Sequence, residues 1–238
     1  MKKSFLLFIH LCFISFVVFT QEETLWDYPI KPGTPEWKTL KTKKQMVDAC
    51  QIPLDILNNL STKDLVTISL NYPLFNDYLE YDDERMGICM IIRRFNGLKE
   101  LSQREDGITE IIKAYLNFPI LDQLQKDPNH KDYHTPYKLP FLELVLCDDL
   151  FLNKLDDEKL EELRKITLKK YTDKLKNPDV YSTLFNLKKT MLLTVSIIYR
   201  QNIQTLSQEQ KDSISFFIKG YKNCSYDLLT EISKIITL

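Results

Sequence analysis

From residue 43 to residue 238, apolar residues recur three or four positions apart, the spacing that places them on one side of an α-helix. The strict alternation that is typical of strands is scarce. Prolines interrupt the pattern, and because proline lacks an amide donor we expect it between helices. The sequence therefore predicts an all-α protein. The predicted helices span 43–50, 53–60, 62–71, 74–80, 84–95, 98–104, 108–117, 139–147, 156–176, 181–202, 207–221 and 225–236.

Two of these segments have clear individual signatures. Segment 156–176 begins with three acids and ends with several lysines, the charge distribution that complements a helix dipole. Segment 181–202 carries apolar residues in nearly every direction around its axis, which predicts a central helix surrounded by others.

A short stretch of sequence recurs forty-six residues further along the chain. Residues 61–75 read STKDLVTISLNYPLF and residues 107–121 read GITEIIKAYLNFPIL. In both, an amphipathic helix ends in Leu-Asn-aromatic-Pro. This period is typical of HEAT or armadillo helix pairs, yet two copies are too few for a full solenoid. The fold is thus predicted to be either an irregular helical bundle or a short α-solenoid.

Residues 21–42 differ from the rest, since they contain Pro29, Pro32, Pro35 and Gly33 within seven positions. This composition predicts an extended N-terminal arm without helix. Trp26 and Trp37 flank it, and we expect them to pin the arm onto the helical body. The alternative is that they stack on a ligand.

The first twenty residues have the pattern of a secretory signal peptide. Two lysines precede an apolar run over 5–19, and the polar chain resumes at Gln21. The run is shorter than the roughly twenty residues that span a bilayer, which favours cleavage after Thr20 over an uncleaved anchor. The predicted organisation is a signal peptide at 1–20, an arm at 21–42 and one helical domain at 43–238. The expected location is the periplasm or the exterior, with no membrane span after signal removal.

Composition excludes several classes of function. After removal of residues 1–20 the net charge is about −3, which gives no electrostatic basis for binding nucleic acid. The five glycines do not cluster, so phosphate-binding loops and dinucleotide turns are excluded. The four remaining cysteines are Cys50, Cys89, Cys147 and Cys224. An exported chain permits disulfides between them, but buried free thiols are the favoured interpretation.

Histidines and acids offer only weak chemistry. His130 and His134, with Asp132 between them, have a spacing that suits zinc, but Lys131 stands where a zinc protease has its glutamate. Pro128 and a second proline at 136 make this segment a polar loop instead, so no metal or cofactor is predicted. The acidic clusters at 82–84, 148–149 and 156–158 are expected to complement helix N-termini.

Twelve tyrosines and thirteen phenylalanines are the more suggestive feature. Most are expected to pack in the core. Those that remain exposed are predicted to form a binding face, for which Trp26, Trp37, Tyr72 and Phe118 are the candidates.

The stretch WDYPIKPGTPEW at 26–37, followed by MVDACQIP at 46–53 and LSTKDL at 60–65, resembles a set of uncharacterised exported bacterial proteins. The resemblance extends over most of the mature chain. It implies a bacterial envelope or secreted setting, and it carries no activity, ligand or catalytic residue.

Two functions follow as hypotheses. The favoured one is a non-enzymatic interaction or scaffold protein of the envelope that binds a protein or peptide through helical surfaces. The alternative is an exported hydrolase on a helical fold that uses scattered carboxylates or a Cys/His pair. A deep pocket with converging carboxylates would favour the hydrolase, and a shallow aromatic groove would favour the interaction protein.

Overall fold

A computed structural model of the chain describes residues 25–120, 135–179, 181 and 183–237. These residues form α-helices and short 3-10 helices, and no strand occurs among them. The predicted all-α class is confirmed. The α-helices are α1 (Lys43–Ala49), α2 (Leu54–Asn59), α3 (Thr62–Leu70), α4 (Glu84–Arg94), α5 (Asn96–Leu101), α6 (Gly107–Asn117), α7 (Thr135–Cys147), α8 (Asp149–Leu152), α9 (Asp157–Leu175), α10 (Leu184–Gln201), α11 (Gln208–Lys219) and α12 (Tyr226–Ile235).

Three elements differ from the sequence prediction. Segment 74–80 is a 3-10 helix, Phe75–Glu80, and not an α-helix. Helix α7 begins at Thr135 and contains Pro140, although we expected it to begin at residue 139. A proline inside a helix removes one backbone hydrogen bond, and the packing of α7 against α4, α6 and α10 offsets that loss. The four-residue helix α8 has too few positions to show a period, so the sequence pattern missed it.

The arm at 25–42 is extended or turned, apart from the 3-10 turn Trp37–Thr39. Gly33 has φ of +101°, a conformation that only glycine adopts readily. The residue that anchors the arm is Tyr28, which is 2% exposed and donates its hydroxyl to the carbonyl of Ile68 at 3.1 Å. The two tryptophans are half-buried against the core, so they assist an anchor that the sequence did not single out.

The two similar stretches form equivalent and adjacent elements. They correspond to α3 and α6, which pack against each other. Thr62, the first residue of α3, donates to the carboxylate of Asp106, which immediately precedes α6, at 2.8 Å. Arg104 closes the C-terminus of α2 by donating to the carbonyls of Leu57 and Leu60 at 2.9 and 2.8 Å.

Helix α10 is the centre of the second half of the chain. It packs against α7, α9, α11 and α12, as its all-round apolar pattern predicts. Helices α4 and α6 also pack on α7 and connect the two halves. This arrangement is a helical bundle. Buried side chains form one cluster that extends from Tyr28 to Ile236.

Two further observations concern the described residues alone. No helix there combines the length and apolar character that crossing a bilayer requires. All four cysteines there have free thiols, with Cys50 buried and the others half-buried.

Candidate functional site

The residues that the sequence proposed for metal binding, His130, His134 and Asp132, lie outside the described residues, and so does the predicted signal peptide. Within the described ranges, no group of three or more histidine, cysteine or acidic side chains is arranged to hold a metal ion.

The candidate binding aromatics are largely structural. Tyr72 is 2% exposed and stacks on Phe95 with ring centroids 4.1 Å apart, so its predicted role at the surface is wrong. The aromatic-proline turn that carries Tyr72 folds inward because it must close the end of α3. Trp26 packs edge-on against Tyr28 at 4.8 Å. Trp37 and Phe118 are half-buried against the core.

Each of the three acidic clusters supplies a helix N-cap. Asp83, Asp148 and Asp156 accept hydrogen bonds from backbone amides at the starts of α4, α8 and α9. An N-cap aspartate satisfies an amide that has no partner within the helix. The expected association of these acids with helix starts is confirmed, and these three carboxylates are accounted for by folding.

A cavity of about 840 Å³ lies between α4 and the five helices α7 to α11. Its floor is aliphatic and its mouth is polar. The floor consists of Leu144, Leu152, Leu160 and Leu192, and the polar lining includes Arg85, Cys147, Asp149, Ser196 and Arg200. A cavity of this size suits a small ligand or a side chain of a partner.

Both arginines that line this cavity have hydrogen-bond partners. Arg200 donates to the side chain of Asn153 and to the carboxylate of Asp149. Arg85 pairs with Asp83 at 2.6 Å and also donates to the carbonyl of Ile218. Because these contacts occupy both guanidinium groups, the described lining presents no free cation to an anionic substrate.

Cys147 lines the cavity with its thiol. Burial raises the pKa of this thiol, and the carboxylates of Glu143 and Asp148 raise it further. The charge of Arg85 and a hydrogen bond with Ser196 oppose the rise only in part. A thiol is a weak nucleophile while it stays protonated. The geometry around Cys147 is thus that of a packing residue.

A buried polar network lies behind this cavity, where α6, α7, α9 and α10 meet. Oε1 of Glu143 accepts hydrogen bonds from Lys174 Nζ at 2.8 Å, from Thr190 Oγ1 at 2.7 Å and from the hydroxyl of Tyr115 at 3.1 Å. All four residues are at most 2% exposed. Among the described contacts, Oε2 of Glu143 has no hydrogen-bond partner. The network joins four helices and is separate from the residues that line the cavity.

Lys170, one turn before Lys174 on α9, closes the end of α6. Its Nζ donates to the carbonyls of Leu116 and Phe118. Burial lowers the pKa of Lys170 to about 8, and the charges of Lys169 and Lys174 contribute to the decrease. Phe118 is thus held through its backbone.

The surface of the C-terminal helices has a different character. A shallow groove of about 710 Å³, the α11–α12 groove, lies along these two helices. It is lined by the carboxylates of Glu209, Asp212, Asp227 and Glu231 and by the apolar side chains of Phe216 and Leu228. Phe216 is 68% exposed.

Exposed aromatic residues concentrate on the last three helices of the chain. Within the described part of the chain, the exposed aromatics are Tyr137, Phe185, Tyr199, Phe216 and Tyr226, and all but the first belong to α10, α11 and α12. The rings of Phe185 and Tyr226 contact each other at 6.3 Å. Ser225 and Asp227, the neighbours of Tyr226, line the α11–α12 groove.

The sequence contains a signal for this surface that our prediction did not use. Helix α11 buries Ile214 and Phe217, and Tyr221 continues that stripe, so Phe216 points away from the core. A phenylalanine off the buried stripe of an amphipathic helix is an exposed aromatic by helical geometry alone.

Comparison of the chain with protein-family models, with curated proteins and with solved structures found no match.

Proposed function

We propose that this chain is an exported, non-enzymatic interaction or scaffold protein that binds a protein or peptide partner through its C-terminal helices. The observation that carries the proposal is the group of exposed aromatic side chains on α10, α11 and α12, with Phe216 at 68% exposure. Phe216 lines the α11–α12 groove, Phe185 and Tyr226 contact each other, and Tyr199 lines the 840 Å³ cavity. Exposed aromatic side chains are typical of binding surfaces. The signal-peptide pattern at 1–20 supports an envelope or extracellular setting.

The contacts of the polar residues support the same proposal. The 840 Å³ cavity has its arginines engaged and its thiol protonated, and the network around Glu143 is enclosed between helices. The hydrolase hypothesis requires a base next to a nucleophile or two converging free carboxylates. Of the three carboxylates that line the cavity, Asp148 caps α8 and Asp149 pairs with Arg200, so among the described contacts only Asp157 lacks a partner and no pair of free carboxylates is present.

Co-purification from the native envelope fraction tests the proposal. The wild-type chain is compared with a Phe216→Ser/Tyr226→Ser variant, and Leu54→Ser serves as the control. Leu54 is 70% exposed on α2, so this control removes an equally exposed apolar side chain far along the chain from the aromatic surface. All three proteins should melt at similar temperatures, because exposed side chains contribute little to stability.

We expect the wild type and the control to retain a stoichiometric partner and the aromatic variant to lose it. Recovery of the wild type alone and monomeric, or equal retention by the aromatic variant, would contradict the proposal.

A further inference from the structure

The α11–α12 groove combines an apolar centre with a one-sided charge. The described residues that line it include four carboxylates and no lysine or arginine. Among the contacts of the described residues, none of Glu209, Asp212, Asp227 and Glu231 forms a salt bridge. Asp212 accepts from Gln208, and Glu231 from Ser213, so two of the four have only uncharged partners.

Helix stability explains part of this acidity but not all of it. Glu209 and Asp227 lie in the first turns of α11 and α12, where the helix dipole favours acids. Asp212 and Glu231 lie further inside their helices, where that effect has faded. Their position along the groove is not required by either helix.

The lining residues of α11 form one continuous face of that helix, along which a short helical ligand can lie. Along α11 the lining residues Glu209, Asp212, Ser213 and Phe216 have the i, i+3, i+4, i+7 pattern, which forms a straight stripe about 10 Å long. A helix of two or three turns laid beside such a stripe makes contact along its full length.

We infer that the α11–α12 groove binds a basic amphipathic helix of a partner protein. This inference rests on the proposed function and specifies its partner. Apolar side chains of the ligand pack on Phe216 and Leu228, and its lysines or arginines pair with the carboxylates. Charge complementarity accelerates such an encounter and excludes acidic partners.

The test uses the full chain and two synthetic peptides of roughly 14 residues, a length at which isolated helices begin to form. One peptide consists of leucine and lysine in an amphipathic pattern, and the other replaces every lysine with glutamate. Binding is measured by calorimetry or fluorescence anisotropy at low and at physiological salt. The lysine peptide should bind, the glutamate peptide should not, and salt should weaken the binding.

A charge-reversal variant locates the site. The test variant, Asp212→Lys/Asp227→Lys, reverses the charge of two exposed acids in the groove. The control variant, Glu105→Lys/Glu162→Lys, reverses two exposed acids outside the groove lining, so both variants change the net charge of the protein by the same amount. The groove variant should weaken binding of the lysine peptide by roughly tenfold or more, and the control by much less.

Equal binding of both peptides, or equal weakening by both variants, would overturn the inference. Its failure is distinguishable from failure of the proposed function. If the Phe216→Ser/Tyr226→Ser variant loses its native partner while Asp212→Lys/Asp227→Lys retains it, the interaction function stands and the basic ligand is wrong.

Discussion

Lys174→Met removes the cation of the buried network and leaves Glu143 enclosed with two hydroxyl donors, Tyr115 and Thr190. Methionine keeps most of the volume of the lysine stem, so the change acts mainly on charge. In the wild type, Lys174 and Glu143 are 2% and 0% exposed. A carboxylate at this depth can reach no water without movement of a helix.

The expected loss of stability is large. Removing one partner of a buried ion pair costs about 3–5 kcal/mol, because the other charge stays desolvated. The oxygen Oε2 of Glu143 has no described partner in the wild type either, so it does not add to this difference. Domains are stable by about 5–15 kcal/mol, so the variant loses about a fifth of its stability or more.

Urea unfolding measures the effect. With an m-value of roughly 2–3 kcal/mol per molar, Lys174→Met should lower the unfolding midpoint by about 1.5 M. The control is Lys169→Met on the same helix, whose lysine is 73% exposed and pairs with Asp173 at 2.6 Å. That exposed pair is worth at most about 1 kcal/mol.

The double variant Glu143→Leu/Lys174→Met separates the pair from its neighbours. It should be less destabilised than Lys174→Met alone, because no unpaired charge remains. If Lys174→Met moved the midpoint no further than Lys169→Met, the network would contribute nothing to holding the four helices together, and the reasoning would fail.

Three further perturbations test the packing. Gly87→Ala should lower stability by about 1–3 kcal/mol in thermal unfolding, because a Cβ there would lie 2.6 Å from the backbone of Tyr78. Tyr28→Ala should cost about 3–5 kcal/mol and release the arm to proteolysis, whereas Trp26→Ala should cost less, since Trp26 is only half-buried. Stability should fall as the pH rises above 10, by about 1.4 kcal/mol per pH unit for each buried tyrosine. Burial raises the pKa of these hydroxyls in the folded chain, so the unfolded chain ionises first. Ultraviolet titration that showed free ionisation in the native protein would contradict this prediction. The tyrosines concerned are Tyr28, Tyr72, Tyr78, Tyr115, Tyr171 and Tyr221.

The helices were predictable because each depends on local spacing. The apolar stripe of α9 and the all-round apolar surface of α10 are properties of consecutive residues, and their bounds agree with the prediction to within a few residues. The same rule, applied to α11, would have identified Phe216.

The buried network was not predictable in this way. Glu143 lies 31 residues from Lys174 and 47 from Thr190 along the chain, so no local pattern connects them. Read alone, Lys174 belongs to the run of lysines that complements the end of α9. Only the packing of α7 against α10 encloses it. Residues whose role depends on how helices pair are the ones that sequence periodicity misassigns.

Lys170 makes stability change with pH in the opposite direction to the buried tyrosines. This difference allows a separate test of whether Lys170 is buried. Its pKa is about 8 in the folded chain, whereas an unperturbed lysine has a pKa of 10.5. Between these values the unfolded chain binds more protons than the folded one, so this group makes stability rise with pH. The rise begins near pH 8 and ends near 10.5.

Other groups titrate in the same window, and a difference measurement removes them. Burial raises the pKa of Cys50 to about 12 and also that of Cys147, so both thiols make stability fall above pH 9. We therefore compare the slope of stability against pH between wild type and Lys170→Met. The variant loses the donor to the carbonyls of Leu116 and Phe118, which lowers its stability at every pH alike.

The slope of stability against pH, in contrast, differs between the two proteins only because the variant lacks the titrating amine of Lys170. Between about pH 8 and 10 the wild type should gain stability relative to Lys170→Met by up to about 1.4 kcal/mol per pH unit. Lys165→Met should follow the wild type, because Lys165 is 73% exposed on the same helix and is not among the charges that shift the pKa of Lys170. Parallel curves for wild type and Lys170→Met would mean that Lys170 titrates as a solvated lysine, and that water reaches the end of α6.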